Sequence, residues 1–123
     1  LMGNDLVEIL SASCEGRLNE VELYWKKEAS VCVIAAAAGY PGPPTKGLPI
    51  ELPENLQSGT QIFHAGTLMQ GEALVTSGGR VFGVTAQSEG IYQARNLAYK
   101  LMEEIKFKGK QYRTDIGSKA LSK

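Results

Sequence analysis

The sequence predicts an α+β domain, a mainly antiparallel sheet with flanking helices, one before it and a longer one after it. Three observations predict it. All five prolines and ten of the fourteen glycines lie between Gly39 and Gly90, so the middle reads as strands joined by turns and the ends as helical. Val31 to Ala38 is an unbroken apolar run, β-branched at its start and closed by Gly39-Tyr40-Pro41-Gly42. It is too short for a typical globular helix and predicts a buried strand. Ile91, Ala94, Ala98, Leu101 and Ile105 recur on one face of a 3.6-residue period, which predicts a helix over Ser88 to Ile105.

The remaining elements follow in order. Asp5 to Cys14 predicts a short helix with Leu6, Ile9, Leu10 and Ser13 or Cys14 on one stripe, Asn4 or Asp5 as its cap and Gly16 as its stop. Val21 to Trp25 alternates apolar and polar at first and reads as a strand. Gln61 to His64, Ala73 to Thr76 and Arg80 to Thr85 read as further strands, with Gly71-Glu72 as a hairpin connection between the first two. In the long helix Ser88 serves as the cap, while Gln93, Asn96, Lys100, Glu103 and Glu104 face water. Lys106 to Lys123 reads as a loop with a short extended piece at Gln111-Tyr112-Arg113.

Length and charge narrow the function. One domain's worth of chain, 123 residues, is short for a complete multi-substrate enzyme. With 43% apolar and 21% charged residues the chain is globular rather than disordered. Thirteen basic and thirteen acidic side chains cancel, which disfavours a nucleic-acid partner. No apolar run approaches a membrane span, so no membrane partner is expected. Asn4, Asp5 and Glu8 stand where a secretory leader would be apolar, and Leu1 ahead of Met2 reads as a cut from a longer chain. The balance is uneven, because residues 106–123 carry six bases against Asp115 alone. That basic end is a solvated or docking edge, or an attraction for an anionic partner. Cys14 and Cys32 are expected to be free, structural and cytoplasmic, with Cys32 buried as a small hydrophobe. A zinc site would have to gather Cys14, Cys32 and His64 from unrelated segments and is not expected.

Four clusters carry possible chemistry. In Gly39 to Gly47, prolines stiffen a turn that holds Lys46 at its mouth, either as a turn alone or as a point charge for phosphate; the P-loop order is absent. In Phe63-His64-Ala65-Gly66-Thr67, the histidine either ends a strand on backbone or donates to a substrate oxygen, with Gly66 allowing close approach. Gly78-Gly79-Arg80 is a hairpin turn, or it presents a guanidinium fork to a carboxylate or phosphate. Arg113 and Asp115 suit a local, structural ion pair. No nucleophile-base pair, nucleophile elbow or dinucleotide fingerprint is present, so the residues read as a substrate-contacting or structural domain without its own catalytic centre.

Taken together and in order, Gly39-Tyr40-Pro41-Gly42 with Lys46-Gly47, Phe63 to Thr67, Thr76 with Gly78-Gly79-Arg80-Val81 and Val84-Thr85-Ala86, and Tyr112-Arg113 with Asp115-Ile116-Gly117 resemble the C-terminal domain of the phosphoribosylamine–glycine ligase family. The resemblance covers nearly the whole chain. It implies the C-terminal domain of an ATP-grasp ligase, of the rudimentary hybrid-motif type. Residues 1–30 would be the closing helix and strand of the upstream ATP-grasp module, and residues 31–123 the ligase C-terminal domain. The implied reaction phosphorylates the glycine carboxylate with ATP and Mg²⁺. The amine of phosphoribosylamine then attacks the acyl phosphate, and glycinamide ribonucleotide forms. ATP and Mg²⁺ would be held mainly outside this chain, by the upstream ATP-grasp and N-terminal domains, leaving the chain inactive alone and the enzyme cytoplasmic. Its implied share is the phosphoribosylamine site, with Lys46 and Gly47 toward phosphate or ribose, His64, Gly66 and Thr67 lining one loop, and Gly78, Gly79 and Arg80 lining its neighbour. The alternative is a purely structural domain that buttresses the ATP-grasp core. Two positions depart from the family pattern. Pro44 replaces a Tyr, which removes an aromatic contact, and Phe82 replaces an aliphatic residue, which reads as repacking.

Overall fold

The structure, a computed structural model, describes residues 1–122. Five strands form two antiparallel sheets: β1 (Ala29–Ala36), β2 (Thr60–His64) and β5 (Arg80–Ser88) in the order β1-β5-β2, and β3 (Thr67–Gln70) with β4 (Ala73–Thr76). Three helices accompany them, α1 (Leu6–Cys14), α2 (Ile91–Glu104) and the short α3 (Ser118–Leu121). Among the described residues no helix is long and apolar enough to cross a membrane.

Strand parity decides where the core sits. Val33 and Ile62 both pair with Val84, and Val31 pairs with Ala86, so these side chains share one face. Helix α2 closes that face with Ala94, Ala98, Leu101 and Met102, all buried. The two alanines carry no bulk beyond Cβ and let the helix axis lie close to the sheet. Phe82 is fully buried at the end of this layer, where its ring meets Phe107.

The segment after α2 is tied down rather than loose. Lys110 Nζ donates to the carbonyls of Met102 and, at 2.6 Å, Ile105, two acceptors that the end of α2 leaves free. Burial, then the neighbouring Lys106, pulls the Lys110 pKa below the ordinary lysine value, with Glu103 acting against them. Gln111 exchanges both backbone hydrogen bonds with Ala36, at 2.8 and 2.9 Å, along the free edge of β1. Arg95 donates to the carbonyls of Ile116 and Thr114, and the Tyr99 hydroxyl donates to the carbonyl of Arg113.

Several expectations change. Cys32 is exposed, not buried, because β1 sends Val31, Val33 and Ala35 inward and Cys32 and Ile34 to a face that no described element covers. Val21 to Trp25 is not a strand. A 3-10 turn spans Leu18–Glu20, and Trp25 makes a single bridge to Met2. Asp5 does cap α1, its carboxylate accepting from the Val7 amide at 2.8 Å, but α1 packs on the 3-10 turn rather than flanking the sheet, and Leu6 and Leu10 stay exposed. Helix α2 starts at Ile91 behind Gly90, because β5 runs on through Ser88. Gly71-Glu72 closes a hairpin between β3 and β4, and β3 was not foreseen. The end of the chain adds helix α3, and Lys123 lies outside the described residues.

Two stability predictions follow from this packing. Phe82→Ala lowers the urea-denaturation free energy by about 3–5 kcal/mol, whereas Cys32→Ser stays within about 0.5 kcal/mol. Lys110→Met costs about 1–2 kcal/mol. Because the lowered pKa makes the unfolded chain the better proton binder, wild-type stability gains on this mutant as pH rises toward the ordinary lysine value, so the gap widens.

Candidate functional site

Three loops meet at one end of the three-stranded sheet. Past His64, the chain crosses the connection between β4 and β5. Ala65 N donates to Val81 O at 3.0 Å, Gly66 N to Arg80 O at 2.8 Å, and Ser77 N to Gly66 O at 2.8 Å. The crossing is so tight that a methyl on Gly66 would stand 2.6 Å from Arg80 O and 2.7 Å from Gly78 Cα. Only glycine fits there. The third loop leaves β1. Ala37 N donates to Gly79 O at 2.8 Å, and the Tyr40 ring lies on Gly79, 2.3 Å from where a methyl would be. Buried Thr76 fastens the far end of this loop, its hydroxyl accepting from Leu48 N at 3.1 Å and donating to Thr45 O at 3.3 Å.

The result is an open groove of about 460 Å³ whose walls include Ile34, Tyr40, Gly79 and Arg80. A second hollow of about 390 Å³ shares Ile34, Tyr40 and Arg80 and adds Tyr112 and Arg113. Arg80 is exposed, and among the described residues no carboxylate pairs with it. Arg113 is held by Asp115 through two bonds, Nε to Oδ1 at 2.8 Å and Nη2 to Oδ2 at 2.5 Å. That hydrogen bonding raises the Arg113 pKa and holds the Asp115 carboxyl below the usual carboxylate range. The surroundings suit an anion with an apolar or ring-shaped body, met by a guanidinium and aromatic walls.

Not all expected residues gather here. Gly66, Gly78, Gly79 and Arg80 do. Gly47 joins from the side, its N–H on Thr76 O at 2.6 Å. Lys46 is exposed on the same loop but lines neither hollow. His64 and Thr67 bond each other, Nδ1 to Oγ1 at 3.0 Å, and the His64 ring stands edge-on to Phe82 at 5.0 Å, so neither lines the groove. Gly78-Gly79 is not a hairpin turn, because β4 and β5 belong to different sheets. Tyr40, Tyr112 and Arg113 line the hollows without having been expected to. The signal for them was the two tyrosines inside glycine clusters already marked by their residues. Among the described residues no three His, Cys, Asp or Glu side chains come together as a metal site.

The family model described as "Phosphoribosylglycinamide synthetase, C domain" matches residues 30–119. A phosphoribosylamine–glycine ligase of Caldanaerobacter subterraneus subsp. tengcongensis is 42% identical over 96% of this chain and 28% of its own length. The bifunctional purine biosynthetic protein purD of Dictyostelium discoideum is 46% identical over 99% of this chain and 15% of its own length. The crystal structure of the phosphoribosylamine–glycine ligase of Thermotoga maritima superposes with a TM-score of 0.72, at 38% identity, over 87% of this chain and 27% of that one. This chain thus spans between about a seventh and little more than a quarter of these relatives. On the extent of the family match, the chain belongs to the phosphoribosylglycinamide synthetase C-domain family.

Proposed function

We propose that this chain serves as the C-terminal domain of an ATP-dependent ligase that joins glycine to 5-phosphoribosylamine, and that it helps to form the phosphoribosylamine site. One observation carries the local part of this reading: the crossing of Gly66 over Gly78 presents Arg80, free of any described carboxylate, in a groove walled by Tyr40. A guanidinium there offers a fork to a phosphate monoester without having to give up an internal partner. Family membership supports the reaction, and the short coverage of the relatives supports a chain that works as part of a larger enzyme.

Among the described residues no three His, Cys, Asp or Glu side chains gather, so they offer no all-protein cage for a magnesium ion. We assign Mg-ATP and phosphoryl transfer to the upstream domains, and to this chain's residues the binding and orienting of the ribose phosphate. Residues 1–30 are proposed to complete the upstream module. The family match starting at residue 30 supports this, as do Leu6, Leu10, Tyr24 and Trp25, which stand exposed on a unit that packs mainly on itself.

The structural alternative has its own support, since the Gly66–Gly78 crossing is required by backbone packing whatever occupies the groove. Kinetics of the complete ligase separate the two. Arg80→Ala raises KM for phosphoribosylamine by about tenfold or more if the groove binds it, as expected for loss of a charge-assisted hydrogen bond. Unchanged KM with a lowered melting temperature favours the buttress. In calorimetric titrations of this chain, glycinamide ribonucleotide binds weakly and Mg-ATP not at all; tight Mg-ATP binding would falsify the placement of the nucleotide site. Gly66→Ala is expected to lower the melting temperature of the chain by several degrees, because the added methyl meets only backbone atoms.

A further inference from the structure

Arg113 lies in the tail, more than thirty residues after Arg80, yet both line the same hollow of about 390 Å³. The tail is fixed at this point from three sides. Gln111 pairs with Ala36 through both backbone bonds, Gln111 Nε2 donates to Ala37 O at 2.8 Å, and the Tyr99 hydroxyl donates to Arg113 O at 2.7 Å while accepting from Ile116 N at 3.1 Å. The arginine backbone is therefore already ordered before any ligand arrives, which removes much of the entropic cost of using it.

The side chain is also oriented in advance. Asp115 takes Nε and one Nη2 hydrogen of Arg113. Of five guanidinium donors, three stay free, all on the side away from the carboxylate. Both partners are exposed, with side chains 74% and 58% accessible, and a pair that open adds little to stability. Its effect is to aim the guanidinium rather than to hold the fold. The hollow is lined by no acid; besides the two arginines its walls are Ile34, Ala36, Tyr40, Gln111 and Tyr112.

We propose that Arg113, aimed by Asp115, is the second arm of a two-arginine clamp whose first arm is Arg80, and that the clamp holds the phosphate of a sugar phosphate whose ring rests on Tyr40 and Tyr112. This rests on the reading of the groove as the ribose phosphate site and assigns to it a residue pair that spacing had marked as structural. Arg113 touches the ligand; Asp115 is a positioning residue.

The test uses ribose 5-phosphate as the probe, with ribose as the uncharged control, titrated into this chain at low ionic strength and followed by NMR. Wild type binds ribose 5-phosphate saturably and ribose not at all, with shifts at Tyr40, Tyr112 and the Arg113 Nε–H signal. Arg80→Gln and Arg113→Gln each weaken binding about tenfold or more, the loss expected for one charged hydrogen-bonding partner. Asp115→Asn weakens it less, moves the Arg113 Nε–H signal in the free chain and leaves the melting temperature unchanged, and Asp115→Glu recovers part of the affinity. Arg113→Lys, which keeps charge and fold but loses the fork, binds more weakly than wild type. Wild-type affinity in both Arg113 variants, with Arg80→Gln impaired, overturns the clamp and leaves the ligase reading standing. Absence of saturable binding by the wild type also overturns it, since a preordered clamp needs no other domain; the KM of the Arg80→Ala ligase then still decides the broader reading.

Discussion

Strand β5 is the member on which everything else hangs. It is hydrogen-bonded along both edges, to β1 and to β2, and its inward side chains meet α2. Phe82, Val84 and Ala86 alternate onto that one face, so a shift of one residue in either pairing would turn Val84 out and Gly83 in. The same register sets the site. Arg80 opens β5, and Gly78 and Gly79 precede it, so the position of the guanidinium and of the glycine crossing follows from where the strand begins. Core and groove are two ends of one pairing pattern.

What the sequence revealed was mostly periodic. The stripe from Ile91 to Leu101 appears in α2, with Ile105 buried just past its end, and every residue expected to face water there is exposed. The run from Val31 to Ala38 gave a strand of the right place and the wrong burial. An unbroken apolar run was read as covered on both faces, but among the described residues α2 packs on one face of the sheet, and Cys32 and Ile34 emerge on the other side. Strand β3 went unseen because Thr67-Leu68-Met69-Gln70 has neither alternation nor β-branched density, and only its pairing with β4 makes it a strand. Ser88 looked like a helix cap because a serine before a helical stripe usually is one; tertiary pairing kept it in β5 instead.

The candidate groove was legible to the extent that it is made of glycines. Gly66, Gly78 and Gly79 are where backbones or rings come too close for a side chain, and that demand is visible as residue type. Lys46 and His64 looked equally chemical but stand outside the groove, because no spacing rule reports which way a loop side chain points. Arg113 was invisible as a wall of the hollow for a related reason. Its nearness to Arg80 comes from the tail running back along the edge of β1, a contact between residues far apart in the chain.

The order of the strands bears on how the chain is made. The partner of β1 is the last strand, so on a ribosome adding about 5–20 residues per second, β1 emerges about fifty residues and some seconds before β5. During that interval an apolar strand with both edges open has no mate of its own, nor has β2, and only the β3–β4 hairpin can pair by itself. The three-stranded sheet and its core therefore arrive late and nearly all at once, with β5 and α2. A nascent chain halted between β1 and β5 would be a substrate for holding chaperones in a way that the finished domain is not.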